Sequence, residues 1–271
     1  VLLDDVTMPV LGDVTIPAGR SLTLGPGAIL AMSEQDSLQS GNDPDLVEVI
    51  VGGELLSTLT HEDEATIHGV NDLLGSWKGI LAKEGSRVVL RSTTIKDAEI
   101  CLQDDQTLTA DSLIVDYCTF ENFTTGGIHL RPQGALDPVE SPCTITTTAF
   151  QMSGAQYGIH IEEATSNTSY DLLIQGIDVN NAGAEEGVHG IFVKCRGIGT
   201  DGLGAGAQPR IEQTVVDRLS NGTAVHVGGY SPTLLNNSFR LCMWGLKVDA
   251  TGTPVFDGDW SLSRSAVENC E

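Results

Sequence analysis

Positive charge is scarce in this chain. Its 271 residues carry 14 Lys+Arg against 37 Asp+Glu, a formal net charge of −23. A field of that sign repels phosphate, so nucleic acid and anionic lipid are not expected partners. Long apolar runs are missing too. No stretch of about 18 apolar residues exists, so no membrane span is expected. Aromatic residues make up 5% of the chain while Gly numbers 31. That balance disfavours a helical bundle and suits many short strands joined by turns. The chain opens on Val1 without a basic-then-apolar leader and stops at Asn269-Cys270-Glu271. We read residues 1–271 as a single domain taken from a longer parent chain. Only five lysines occur, which fits a secreted, extracellular or cell-surface setting.

What the chain does contain is a repeat. An apolar residue followed five positions later by another recurs as Leu90/Ile95, Val115/Phe120, Ile145/Phe150 and Ile174/Val179. It continues as Ile211/Val216, Leu234/Phe239 and Leu262/Val267. The inner gap is constant while the outer spacing changes, as expected of a fixed structural rung carrying loops of different length. A second anchor follows each rung, a small residue and then alternating apolar positions. Examples are Gly127-Ile128-His129-Leu130, Gly158-Ile159-His160-Ile161 and Gly190-Ile191-Phe192-Val193. Alternation with period two marks a half-buried strand. Short strands at this spacing, with no helical stretch between them, predict an all-β fold: a parallel β-solenoid of roughly nine coils. A β-sandwich is the rival, but it does not require the five-residue gap seven times over.

Residues 14–29, running Val14-Thr15-Ile16-Pro17-Ala18-Gly19 to Gly25-Pro26-Gly27-Ala28-Ile29, resemble the opening coil of the pectin-lyase-like superfamily. Val49-Ile50-Val51-Gly52-Gly53-Glu54-Leu55 and Gly75-Ser76-Trp77-Lys78-Gly79-Ile80 resemble its next two stretches. The resemblance implies a right-handed parallel β-helix. It leaves function open, because that superfamily includes lyases, hydrolases, esterases, adhesins and structural modules.

Catalytic patterns are incomplete. Resemblance to polygalacturonases would imply paired Asp, a Gly-His-Gly one coil later and an Arg-x-Lys. The chain has Gln103-Asp104-Asp105 and Gly187-Val188-His189-Gly190, three coils apart, and no Arg-x-Lys follows. Carboxylates that far from the His cannot share one glycosidic bond. Pectate-lyase-like chemistry would need Arg-x-Pro-x-x-Arg, and only Arg131-Pro132 is present. Calcium has candidate oxygen ligands at Asp43/Asp45 and Asp257/Asp259. Gly199 to Gly206 reads as a loop between coils, since no strand-to-helix context surrounds it.

The strongest signal is a stripe. If Ile80, Ile100, Ile128, Ile159, Ile191, Val225 and Leu246 point inward, the outward column reads Leu81, Cys101, His129, His160, Phe192, His226, Lys247. Two residues on, it reads Lys83, Gln103, Arg131, Glu162, Lys194, Gly228, Asp249. Three readings stay open. The column is a set of exposed positions that tolerate polar residues. Alternatively Lys83, Arg131, Lys194 and Lys247 line a groove for an anionic sugar. Or His129, His160 and Glu162 hold zinc or copper, whose ligand types they match.

Of the six cysteines, Cys242 and Cys270 each follow a rung anchor by three residues and share a slot on neighbouring coils. They are the one disulfide expected at most, and only in an oxidising compartment. Cys118 and Cys143 slip by five residues and should not pair, and Cys118 should fill the core. Cys101 and Cys195 should be free. Two functional classes remain. The first is a non-catalytic module of a larger secreted or surface protein, structural, adhesive or glycan-binding, requiring no cofactor. Its expected partners are acidic polysaccharide or other surface proteins. The second is a polysaccharide lyase or glycoside hydrolase acting on acidic polysaccharide along the His129–Lys194 stripe. There the segments 133–142, 184–187 and 200–208 would wall a cleft.

Overall fold

The computed structural model describes residues 2–104, 112–131, 143–152, 155–163, 172–180, 189–195, 210–219, 221–228, 233–248, 255–256 and 266–268. The strands alternate strictly among three parallel sheets, of ten, ten and nine strands. One coil runs Arg87–Arg91, Thr93–Lys96 and Ile100–Asp104, and the next runs Leu113–Asp116, Thr119–Glu121 and Gly126–Leu130. Each strand pairs only with its counterpart one coil away. The chain is a right-handed parallel β-helix. No helix among the described residues is long and apolar enough to cross a membrane.

The constant gap of five has a backbone cause. Between a first-sheet strand and the following second-sheet strand, one residue turns the corner with positive φ: Ser92, Tyr117, Thr147, Gly176, Gln213 and Asn236. A non-glycine residue in this conformation costs about 1–2 kcal/mol. The next residue offsets part of that. It turns inward and hydrogen-bonds the backbone that the corner leaves unpaired. Thr93 Oγ1 donates to Arg91 O at 3.1 Å, Thr148 Oγ1 to Thr146 O at 2.7 Å and Asn237 Nδ2 to Ile211 O at 2.9 Å. Cys118 occupies the same slot, its thiol 3.4 Å from Asp116 O and from Leu90 O. It is therefore a corner donor as well as a core filler. Cys118 and Cys101 are free, buried thiols. Cys143 opens a first-sheet strand in register with Leu172, so it sits away from the corner.

Past each corner, the second-sheet anchors stack in one column. Ile95, Phe120, Phe150, Val179, Val216 and Phe239 pair in direct succession. None is more than 2% exposed. The Phe120 and Phe150 rings stack at 5.0 Å with planes 7° apart.

Two register assignments change. The first-sheet partner of Leu234 is Phe256, and Leu262 lies outside the described residues. On the third sheet, Leu102 and not Ile100 aligns with Ile80 and Ile128. Both residues are apolar and two apart, so alternation alone cannot separate them. Gln103 therefore takes the outward place expected for Cys101, and Cys101 is buried in the core.

Candidate functional site

The stripe lies on the outer face of the third sheet, on the strands Gly126–Leu130, Tyr157–Glu163, His189–Cys195 and Thr223–Gly228. Ile128, Leu130, Ile159 and Ile161 belong to the core, so the alternating His129, His160 and Glu162 face the other way. His129 pairs with His160, His160 with Phe192, and Phe192 with His226. Glu162 pairs with Lys194. The side chains of Phe192, Lys194 and Cys195 lie outside the described residues.

At the entrance to these strands the alternation breaks. A Cβ on Gly127 would sit 2.5 Å from Phe150 Cδ1 and 2.8 Å from Gly158 O, so this residue points inward, directly before inward Ile128. Gly158 and Gly190 repeat the pattern, each close to core side chains. Two inward residues in succession bring the residue three before each column position onto the outer face. That residue is Tyr157 on one strand and His189 on the next, and the two pair in register. The Tyr157 ring lies across Gly126, where a Cβ would meet it at 1.9 Å.

A compact cluster results. The His129 and His160 rings stack at 4.7 Å and 10°. Tyr157 presents its ring at 5.7 Å to His129 and 4.9 Å to His160, at 66° and 60°. Glu162 Oε2 lies 3.5 Å from His129 Nε2 and 3.4 Å from Arg131 Nε. Beside it, His189 and His226 bring their rings to 4.9 Å. Four of the six histidines thus share one face of four adjacent strands.

The expectation of exposed positions is corrected here. His129 is 5% exposed, Glu162 6% and His226 8%. Arg131, with 37% of its side chain exposed, is where the cluster meets solvent. Taking an ion pair out of water costs several kcal/mol per ion, roughly, before attraction returns it. A fold held by apolar columns has no need of that expense. Burial drives the Tyr157 phenol well above its usual range; Arg131 opposes the shift, while Glu162 and Glu99 add to it. The hydroxyl is therefore a neutral donor at all ordinary pH.

The parallel stacking bears on the metal reading. Imidazole lone pairs lie in the ring plane, and those of two parallel rings run side by side without converging. One ring would have to turn for both to reach a single zinc or copper at about 2.0–2.1 Å.

The other sequence candidates separate. Asp104 is 1% exposed and in register with core Leu130, whereas His189 is on the outer face three strands away. They form no catalytic pair. Asp43 Oδ1 accepts from the amides of Asp45 and Leu46, and its other oxygen lies 3.2 Å from Lys78 Nζ. Those contacts hold its carboxyl below the usual range. Lys83 and Lys247 lie at the ends of the stripe. Asp257, Asp259, the Gly199–Gly206 segment, the three wall segments and Cys270 lie outside the described residues. Cys242 is buried, its Sγ 3.2 Å from Arg240 O.

Comparison with protein-family models, with curated proteins and with solved structures returns no match in any of the three.

Proposed function

We propose that this protein is a pectin-lyase-like β-helix module, secreted or displayed at a cell surface, that binds an acidic polysaccharide along its third sheet without cleaving it. The cluster of Tyr157, His129, His160, Glu162 and Arg131 on one outer face carries the reading. A sugar chain is an extended ligand, and a row of side chains repeating at about 4.8 Å suits it. Arg131 supplies the charge for a uronate carboxylate, and the half-buried His160 and His189 rings supply flat surface and hydrogen bonds, with Tyr157 and His129 backing them. Glu162 draws on Arg131 from below and fixes its approach. A bound carboxylate must therefore compete with Glu162, which favours modest affinity.

A second reading, a polysaccharide lyase, draws on one observation: a neutral phenol lies edge-on to two imidazoles beside an arginine. β-Elimination of a uronate uses such groups. A cation offsets the carboxylate, a base removes the adjacent proton, and an acid protonates the leaving oxygen. A glycan array run with a turnover assay on acidic polysaccharides separates the two. Binding without unsaturated products supports the module, and unsaturated products support the lyase. Absence of both overturns both.

A further inference from the structure

At the corner between the second and third sheets, the stacking of coils gathers residues far apart in sequence. His68 is the second-last residue of the strand Ala65–Gly69, and Asp97 follows Thr93–Lys96 on the next coil, two positions past Ile95 of the Ile67–Ile95 pair and so level with Gly69. Asp72 returns from the loop between them. One ligand atom from each of His68, Asp72 and Asp97 lies within 4.8 Å of the others.

Two observations beyond proximity point to a cation. First, Asp97 is 1% exposed, yet its carboxylate is held by neutral donors: Gly69 N at 3.2 Å on Oδ2 and Asn122 Nδ2 at 2.5 Å on Oδ1. Lys96 attracts Asp97 through space, but it gives its hydrogen bond to exposed Asp72, at 2.8 Å. Buried carboxylates are ordinarily paired with a cation or bound to a metal. Second, His68 Nδ1 lies 2.7 Å from Gly69 O. A carbonyl only accepts, so Nδ1 carries a proton and in the neutral ring Nε2 keeps its lone pair, the arrangement in which a backbone carbonyl orients a metal-binding imidazole.

We propose that His68, Asp72 and Asp97 form a site for a divalent transition ion of the zinc class. One imidazole nitrogen and two carboxylate oxygens make three protein ligands of a tetrahedral set, with the fourth position left for water or an external donor. The imidazole selects against calcium, which takes oxygen ligands. Asp72 exchanges its contact with Lys96 for the ion, and the ion gives buried Asp97 a directly bound cation. Binding ties the 69–76 loop to the neighbouring coil. Asn122 also donates to Asp72 O, at 3.3 Å. Its amide is thus committed to this corner, although Asn122 opens an Asn-x-Thr sequon.

The test is a zinc titration of chelator-treated full chain, with Zn²⁺ alone as the probe. It compares wild type with His68→Gln, Asp72→Asn and His160→Ala, each checked for native circular dichroism. Asp72 is exposed and asparagine tolerates its positive φ, so Asp72→Asn should fold even if changes at buried Asp97 do not. His68→Gln and Asp72→Asn should each lose one zinc equivalent or weaken it by at least about tenfold. His160→Ala should keep that equivalent, and excess calcium should not displace it. Zinc uptake equal to wild type in both corner variants would overturn the proposal. So would an equivalent lost only in His160→Ala, or one that calcium displaces.

Discussion

Truncating Phe150 to Ala probes the column on which the whole register rests. The ring is fully buried, stacked on Phe120 at 5.0 Å, and roofed by Gly127, whose would-be Cβ lies 2.5 Å from it. Burial of a phenylalanine ring with a residual cavity is worth about 3–5 kcal/mol on truncation. The offset-parallel partner adds about 0.5–1.5 kcal/mol beyond area. The neighbours that would have to collapse into the gap are the Phe120 ring and Val179, each fixed on its own paired strand, and the backbone of Gly127 and Gly158, so relaxation is small. The expected loss is therefore in the upper part of that range, about 4–5 kcal/mol. Leu11→Ala, at a residue 65% exposed, should stay within about 0.5 kcal/mol of wild type. Chemical denaturation followed by far-ultraviolet circular dichroism gives both values from the shift in midpoint. A loss for Phe150→Ala below about 1 kcal/mol, comparable to an ordinary substitution, would refute the stacked column and the register built on it.

Three further outcomes follow from particular residues. Gly126→Ala should displace the Tyr157 ring and cost about 1–3 kcal/mol by overpacking, seen as a lower denaturation midpoint and an altered near-ultraviolet tyrosine signal. Burial pushes the Cys118 thiol from 9.0 up to about 12, with its backbone hydrogen bonds opposing and Asp116 adding. The folded state thus holds this proton more tightly than the unfolded chain. Stability contributed below pH 9 should drain away as pH rises toward 12, and Cys118→Ala should flatten that fall. Thiol counting on denatured protein, without and with reductant, should find at most one disulfide, Cys242–Cys270; two or three would contradict the coil registers.

The repeat was legible because the corner is built the same way each time, although no residue type marks it. Ser92, Tyr117, Thr147, Gly176, Gln213 and Asn236 share a conformation and nothing else, so only the spacing of their apolar neighbours shows it. Register was less legible. Ile100 and Leu102, or Leu262 and Phe256, are interchangeable to a pattern that records only hydrophobicity. His129, His160 and Glu162 could be placed on one face by alternation. Tyr157 and His189 could not, because the glycine before each isoleucine also turns inward and shifts the count by one. Burial of the stripe was invisible, since alternation distinguishes faces and not what covers them. The corner of His68, Asp72 and Asp97 was invisible for another reason. It is assembled by coil stacking across 29 positions, and no local motif foreshadows it.

The central claim is that the outer face of the third sheet binds an acidic sugar chain through Arg131 and its neighbours. Calorimetric titration of an oligouronate into wild type, Arg131→Ala and His160→Ala, repeated at two salt concentrations, tests it most directly. Wild type should bind measurably and more weakly as salt rises, and both variants should bind more weakly, with a flatter salt dependence for Arg131→Ala. Wild-type binding that both substitutions leave unchanged, or no binding at low salt, would contradict it.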